Sequence, residues 1–310
     1  MKNIILIGNG FDLAHQLNTK YEHFIDNTLD EEFSLSKSIL DKPVPNKIGA
    51  RKRSEIQLPN QFYDYIKKDR YINWCDFERD YFTELLQTQD PKNLNSEFER
   101  IKDILKIYLN KETINVECIS PFKYFFSEFS DKPTVITFNY TKTIRNYKEF
   151  FNELIYLHGE LNDSNNPIIF GYAADSEKTQ ELIKKDDVYL KNIKQYEYLG
   201  ANNFRNVLNI LKDPEEANIF LLGVSCGLSD KLILGRIFGH QNVKRIFNLY
   251  YKNRSAHLAK LINVNRIVGE DIGFNKFMPL PETLKMPQKE DSNYKEEIDV
   301  FFKGRTKYGL

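Results

Sequence analysis

The chain has 310 residues, 41 % of them hydrophobic, 14 % aromatic and 28 % charged. A chain of this length buries about three quarters of its unfolded surface on folding, and so apolar a composition excludes wholesale disorder. Forty-four Lys and Arg balance forty-four Asp and Glu, which excludes a global field that would draw the protein onto nucleic acid or an anionic membrane.

Taken in chain order, Asn3 to Ile7 is a short β-branched run that stops at Gly8-Asn9-Gly10, the pattern of a buried strand entering a tight turn. A helix is predicted from about Asp12 to His23. Asn73 to Gln87 and Ser96 to Leu109 carry apolar residues at helical spacing, among them Phe77, Tyr81, Phe82 and Leu85, then Phe98, Ile101, Leu105 and Tyr108. Such stripes call for helices packed over one end of a sheet. Further strands are predicted at Thr134 to Phe138, Ile155 to His158, Asn218 to Gly223 and Val243 to Leu249. Strands alternating with helices imply a mostly parallel α/β sheet, Rossmann-like, with helices on both faces. The connection between the first two strands exceeds any ordinary crossover and reads as an insertion. The expected division is a nucleotide-binding unit from residues 1–30 and 131–275, a mainly helical insertion at 31–130, and a C-terminal tail at 276–310 packed on the surface. Within the insertion, Lys42 to Arg53 is rich in Pro and basic residues and reads as a solvated loop.

The N-terminal apolar run is too short for a signal-peptide core, and the longest later one, Ile219 to Leu228, is too short to span a bilayer. Cys75, Cys118 and Cys226 form neither a disulfide framework nor a zinc motif. A soluble cytoplasmic protein without a metal site is expected.

Four strand ends carry residues suited to chemistry. Gly8-Asn9-Gly10-Phe11-Asp12 would let a diphosphate approach the backbone, although Leu13 stands where a dinucleotide fingerprint has its third glycine. Asn139, with Thr141 after it, closes the next strand and reads either as a ribose or water ligand or as a helix cap. His158-Gly159 closes a third, and a histidine there can take a proton from a hydroxyl or a water. Gly223-Val224-Ser225 closes a fourth, with Ser225 a donor and Asp230 a cap or ribose acceptor. Trp74 and Glu78 open a predicted helix, where Glu78 either suits the helix dipole or joins Trp74 in a lid. His240 and Cys226 read as structural. Because parallel sheets bind ligands outside the carboxyl ends of their strands, Gly10, Asn139 and His158 should converge on one edge.

In that order, Gly8-Asn-Gly-Phe-Asp-Leu-Ala14, Thr19-Lys-Tyr21, Trp74-Cys-Asp-Phe-Glu78, Phe138-Asn-Tyr-Thr-Lys-Thr143, His158-Gly159, Phe170-Gly-Tyr172 and Gly223-Val-Ser225 with Ser229-Asp230 resemble the bacteriophage abortive-infection AbiH family, from residue 3 to about residue 260. That family is in turn similar to sirtuin-like domains of antiviral defence proteins, whose glycine loop, strand-end Asn, His-Gly and Gly-x-Ser turn build an NAD-binding site. The resemblance implies antiphage abortive infection by an NAD glycohydrolase. Asn139, His158 and Asp12 would be catalytic, and Gly8, Asn9, Gly10, Phe11, Thr141, Gly223, Ser225 and Asp230 would hold NAD+ or a related nucleotide. Thr141 stands where sirtuin-like sequences usually carry an Asp, so Asp12 is the carboxylate expected to replace it. The zinc-binding cysteine pairs of deacetylase sirtuins are absent, which excludes protein deacetylation.

Two other readings remain open at this level. One is a metal-dependent nuclease or phosphohydrolase using Asp12, Asp76, Glu78 or Asp230, and the other is a non-catalytic nucleotide sensor. A homo-oligomer, a phage-derived trigger and a partner defence protein are the partners expected, and neither membrane nor nucleic acid is.

Overall fold

The computed structural model describes residues 1–29, 62, 74–172, 181–182, 184–251 and 253–304, so the basic segment 42–53 lies outside the described residues. β1 (Lys2–Ile7) leads into α1 (Asn9–Ala14) and a single turn, α2 (Tyr21–Phe24). After α3 (Trp74–Gln87) and α4 (Pro91–Glu112), α5 (Ser120–Ser127) returns the chain to β2 (Thr134–Thr137). A 3-10 stretch over Thr143–Phe150 joins β2 to β3 (Glu153–Tyr156). There follow α6 (Lys194–Gly200), α7 (Asn203–Lys212), β4 (Ala217–Leu222), α8 (Lys231–Gly239) and β5 (Val243–Leu249). α9 (Arg254–Val268), α10 (Glu270–Lys276) and α11 (Tyr294–Lys303) complete the described chain.

The five strands form one parallel sheet in the order β3-β2-β1-β4-β5. β1 is the central strand, with Ile5 level with Val135 on one side and Phe220 on the other. Ile4 to Ile7 are wholly buried, as expected for a parallel strand covered on both faces. Ile4, Leu6, Ile219 and Leu221 point to the face covered by α7, α8 and α9. Ile5, Ile7, Phe220 and Leu222 point to the opposite face, where Phe122, Phe125 and Phe126 of α5 meet Phe301 and Phe302 of α11. This is the α/β, Rossmann-like architecture expected.

A third cluster lies apart from both faces. Phe77, Tyr81 and Leu85 of α3 interdigitate with Phe98, Ile101 and Leu105 of α4, and both pack on Phe170 and Ile193. The rings of Phe77, Phe98 and Phe170 stack with their planes within 18° of parallel. α4 starts cleanly because Asp90 caps it, accepting from the Asn93 amide at 3.0 Å, with Pro91 in the first turn.

β3 lies two residues earlier than expected and α4 is longer at both ends, but the largest departure is in the first helix. The first helix begins at Asn9, three residues early, and ends at Ala14 rather than near His23. Gln16 adopts a left-handed backbone, φ 65°, and the Leu17 amide donates back to the Asp12 carbonyl, closing the helix. The chain is then pinned by Asn9: its Nδ2 donates to the Thr19 carbonyl at 2.9 Å, and the Thr19 hydroxyl donates to its Oδ1 at 2.6 Å.

Candidate functional site

The chain runs β1, β2, β3 in one direction and then crosses back to lay β4 on the other side of β1. Ligands of open parallel sheets bind where the strand order reverses in this way, outside the carboxyl ends. Here that point is the junction of the turns after β1 and β4. Gly8 and Gly10 donate their amides to the carbonyls of Leu222 and Gly223, at 3.0 and 3.1 Å. A Cβ on Gly10 would come within 2.5 Å of the Gly223 Cα, and Gly223 itself has φ +67°. These glycines are required because two backbones touch, and the Gly8 and Gly10 amides are already occupied.

Beside this junction, on the β1-β2 side, lies a cavity of about 410 Å³, within the range of small-molecule sites. Gly8, Asn9, Asp12, Asn139, Thr141, His158, Gly223, Ser225 and Asp230 all line it. Trp74, Leu105, Leu109 and Phe170 form its apolar wall, so α3 and α4 close the open end of the sheet. Two of the residues expected at the nucleotide do not line this cavity. Phe11 is packed between Phe122 and Tyr147 in the core under α5, because α1 starts early enough to turn its ring away from the cavity. Gly10 faces a second cavity beyond the junction.

Two carboxyl clusters meet in the first cavity. Asp12 is 1 % exposed. Its Oδ2 accepts from the Thr141 hydroxyl at 2.7 Å, while Oδ1 is buried without a hydrogen-bond partner. Burial pushes its pKa up to about 6, against the hydrogen bonds of Thr141, Thr143 and Asn139. Asn139 is itself fixed, donating from Nδ2 to the Gly8 carbonyl at 3.1 Å. Thr141, standing where the resemblance led one to expect a carboxylate, thus touches the carboxylate that α1 supplies.

The second cluster is built on Lys194, whose ammonium lies 2.9 Å from Glu78 Oε1 of α3 and 2.9 Å from Asp230 Oδ1. Lys194 is 1 % exposed. The Gly171 amide also donates to Glu78. His158 Nε2 lies 3.1 Å from the same Asp230 oxygen without a formed hydrogen bond. Burial works against ionisation of Asp230, but the Lys194 ammonium outweighs it and holds the carboxyl well below the usual range. For Glu78 burial wins over Lys194, and its pKa is raised. Burial would lower Lys194, yet its two carboxylates keep it well above the ordinary lysine value.

Glu78 is therefore neither a solvated first-turn carboxylate nor free to move as a lid; it ties α3 to the centre of the site. Lys194 was not legible in the sequence. The one local signal is its position four residues before Tyr198, which puts both on one face of α6, and Tyr198 is buried. His240 ends α8, where its Nδ1 accepts from the Asn242 amide, and Cys226 is buried in the core with φ 54°. The side chain of Asp76 lies outside the described residues. Among the described residues no group of three or more His, Cys, Asp or Glu is placed to hold a metal ion, and no helix is long and apolar enough to cross a membrane.

No curated protein matches the sequence. The family model for bacteriophage abortive infection AbiH matches residues 4–252. That span contains β2 to β5 and all but the first two residues of β1, both helices that roof the cavity, and every residue of the two carboxyl clusters. The chain belongs to the AbiH family, and its setting is phage abortive-infection defence.

Proposed function

We propose that the protein is an NAD glycohydrolase that acts in abortive infection by breaking the nicotinamide-ribose bond. The observation that carries this reading is Asp12: a buried carboxylate with one unpartnered oxygen, lining a cavity shared with Asn139 and His158. Cleavage of the C1′–N bond releases nicotinamide and leaves an oxocarbenium-like ribose cation, so the transition state gains positive charge on the sugar. A fixed carboxylate in a site that excludes water stabilises that charge far more than one in solution. Asn139, held by the Gly8 carbonyl, would orient the ribose. His158 would accept the proton of the attacking water or of a ribose hydroxyl. With Nε2 beside Asp230, the nitrogen left for this is Nδ1. Water then adds to C1′ and completes hydrolysis.

The metal-dependent reading is less well supported, because Glu78 and Asp230 already share the Lys194 ammonium. The test is nicotinamide release from NAD+ by the purified protein, alone and with lysate of phage-infected cells. Wild type should release nicotinamide, while Asn139→Ala and His158→Ala should still fold, with cooperative thermal melts, and lose release. A wild-type protein that binds NAD+ without releasing nicotinamide in either condition would instead favour a sensor.

A further inference from the structure

The second cavity, about 550 Å³, lies on the β4-β5 side of the glycine junction and shares Leu13, Lys20, Gly223 and Val224 with the first. The two therefore flank one ridge, made of the backbone of Gly8, Gly10 and Gly223. Their charges are opposite. In the first, four carboxyl groups, Asp12, Glu22, Glu78 and Asp230, outnumber two ammonium groups, Lys20 at the border and the buried Lys194. The second is lined by the shared Lys20, by His23 and by Lys260, with Asn248 of β5 and Tyr250 just after it, and no Asp or Glu among its described lining residues. Lys260 reaches the ridge itself, donating to the Val224 carbonyl.

Resting on the glycohydrolase reading, we infer that the substrate is a whole dinucleotide laid across this ridge in one fixed direction. The cationic nicotinamide-ribose half occupies the acidic cavity under α3 and α4, and the anionic adenosine-phosphate half occupies the basic cavity between β5 and α9. Two mononucleotide halves on either side of the reversal in strand order is the arrangement that parallel sheets favour. The diphosphate is central in either direction, but the reverse one would put the cationic pyridinium beside Lys260 instead of among the carboxylates, which Coulomb energy disfavours. The glycines matter here as well, because a side chain at the ridge would obstruct a ligand crossing it.

Ala256, in the first turn of α9, lines only the second cavity, so Ala256→Trp fills it from a position remote from Asp12, Asn139 and His158. The experiment compares binding of NAD+, ADP-ribose and nicotinamide mononucleotide to wild type and Ala256→Trp by calorimetry. Ala256→Trp should weaken NAD+ and ADP-ribose by about tenfold or more, a change ordinary for a reshaped pocket, and leave nicotinamide mononucleotide unchanged. Retained binding of the mononucleotide also shows that the variant folds. Lys260→Glu should act in the same sense. Unchanged NAD+ affinity in both variants, or equal loss of all three ligands, would overturn the inference while the glycohydrolase reading stands. A wild type that binds none of the three would overturn both.

Discussion

Two carboxylates in one cavity, Asp12 and Asp230, are both buried, yet their acidities move in opposite directions. Asp12 has only neutral hydroxyl and amide neighbours and is pushed up to about 6. Asp230 has the Lys194 ammonium at 2.9 Å and is held low. Burial alone does not decide the charge state of a buried acid; the partner does. Environments that separate two titratable groups in this way are a mark of functional sites. In this molecule the paired cluster ties α3, α6 and the turn after β4 together, and Asp12, which has no charged partner, is the group the proposal makes catalytic.

The contrast breaks most severely at Lys194. Lys194→Met leaves Glu78 and Asp230 buried together without their cation, and removing one partner of such a group costs about 3 to 5 kcal/mol. Urea denaturation should show a loss of that size, and the double variant Lys194→Met/Glu78→Gln should recover part of it. Equal stability of Lys194→Met and wild type would mean that the cluster is not a structural tie.

Asp12→Asn should act in the opposite sense. An acid with a higher pKa folded than unfolded holds its proton more tightly in the fold, so ionisation works against folding. With about 6 folded and the ordinary 3.8 unfolded, the penalty is absent below about pH 4, grows as pH rises toward 6, and levels off near 3 kcal/mol. Asp12→Asn should therefore be the more stable protein at pH 8 and equal to wild type near pH 4. Its nicotinamide release should nonetheless fall about a hundredfold or more, as when a fixed electrostatic group is removed from a reacting centre. A variant that is less stable than wild type at every pH would contradict the raised pKa of Asp12.

The smallest effect is expected at Thr141. Thr141→Val deletes the hydroxyl that donates to Asp12 and should cost about 1 kcal/mol. It should also move the pH dependence of stability to higher pH, because a hydrogen bond to the charged form is lost. A thermal-melt series across pH would show the displacement, and an unchanged profile would place the control of Asp12 elsewhere.

How much of this was legible in the sequence follows from the range of the forces involved. Strands β1, β2, β4 and β5 announce themselves as short apolar runs, and the glycines after β1 and β4 mark the turns locally. The stripes of α3 and α4 likewise predicted their packing, since helical periodicity is a property of neighbouring residues. The reach of α1 was misread because its end depends on Gln16 and on the Asn9–Thr19 clasp, neither of which has an apolar signature. The same shift sends Phe11 into the core. Lys194 was invisible for a stronger reason: its burial is decided by Glu78 and Asp230, which lie far from it in sequence. A lysine in a polar helix reads as surface until its two partners are brought to it.

The central claim is that this cavity destroys NAD+ during infection, with Asp12 at its centre. It is tested most directly by measuring NAD+ and free nicotinamide in phage-infected cells carrying wild type or Asp12→Asn. The account predicts that NAD+ falls and nicotinamide rises with wild type as infection aborts, and that both stay level with an equally abundant Asp12→Asn. Infection aborted by wild type with NAD+ intact would contradict it.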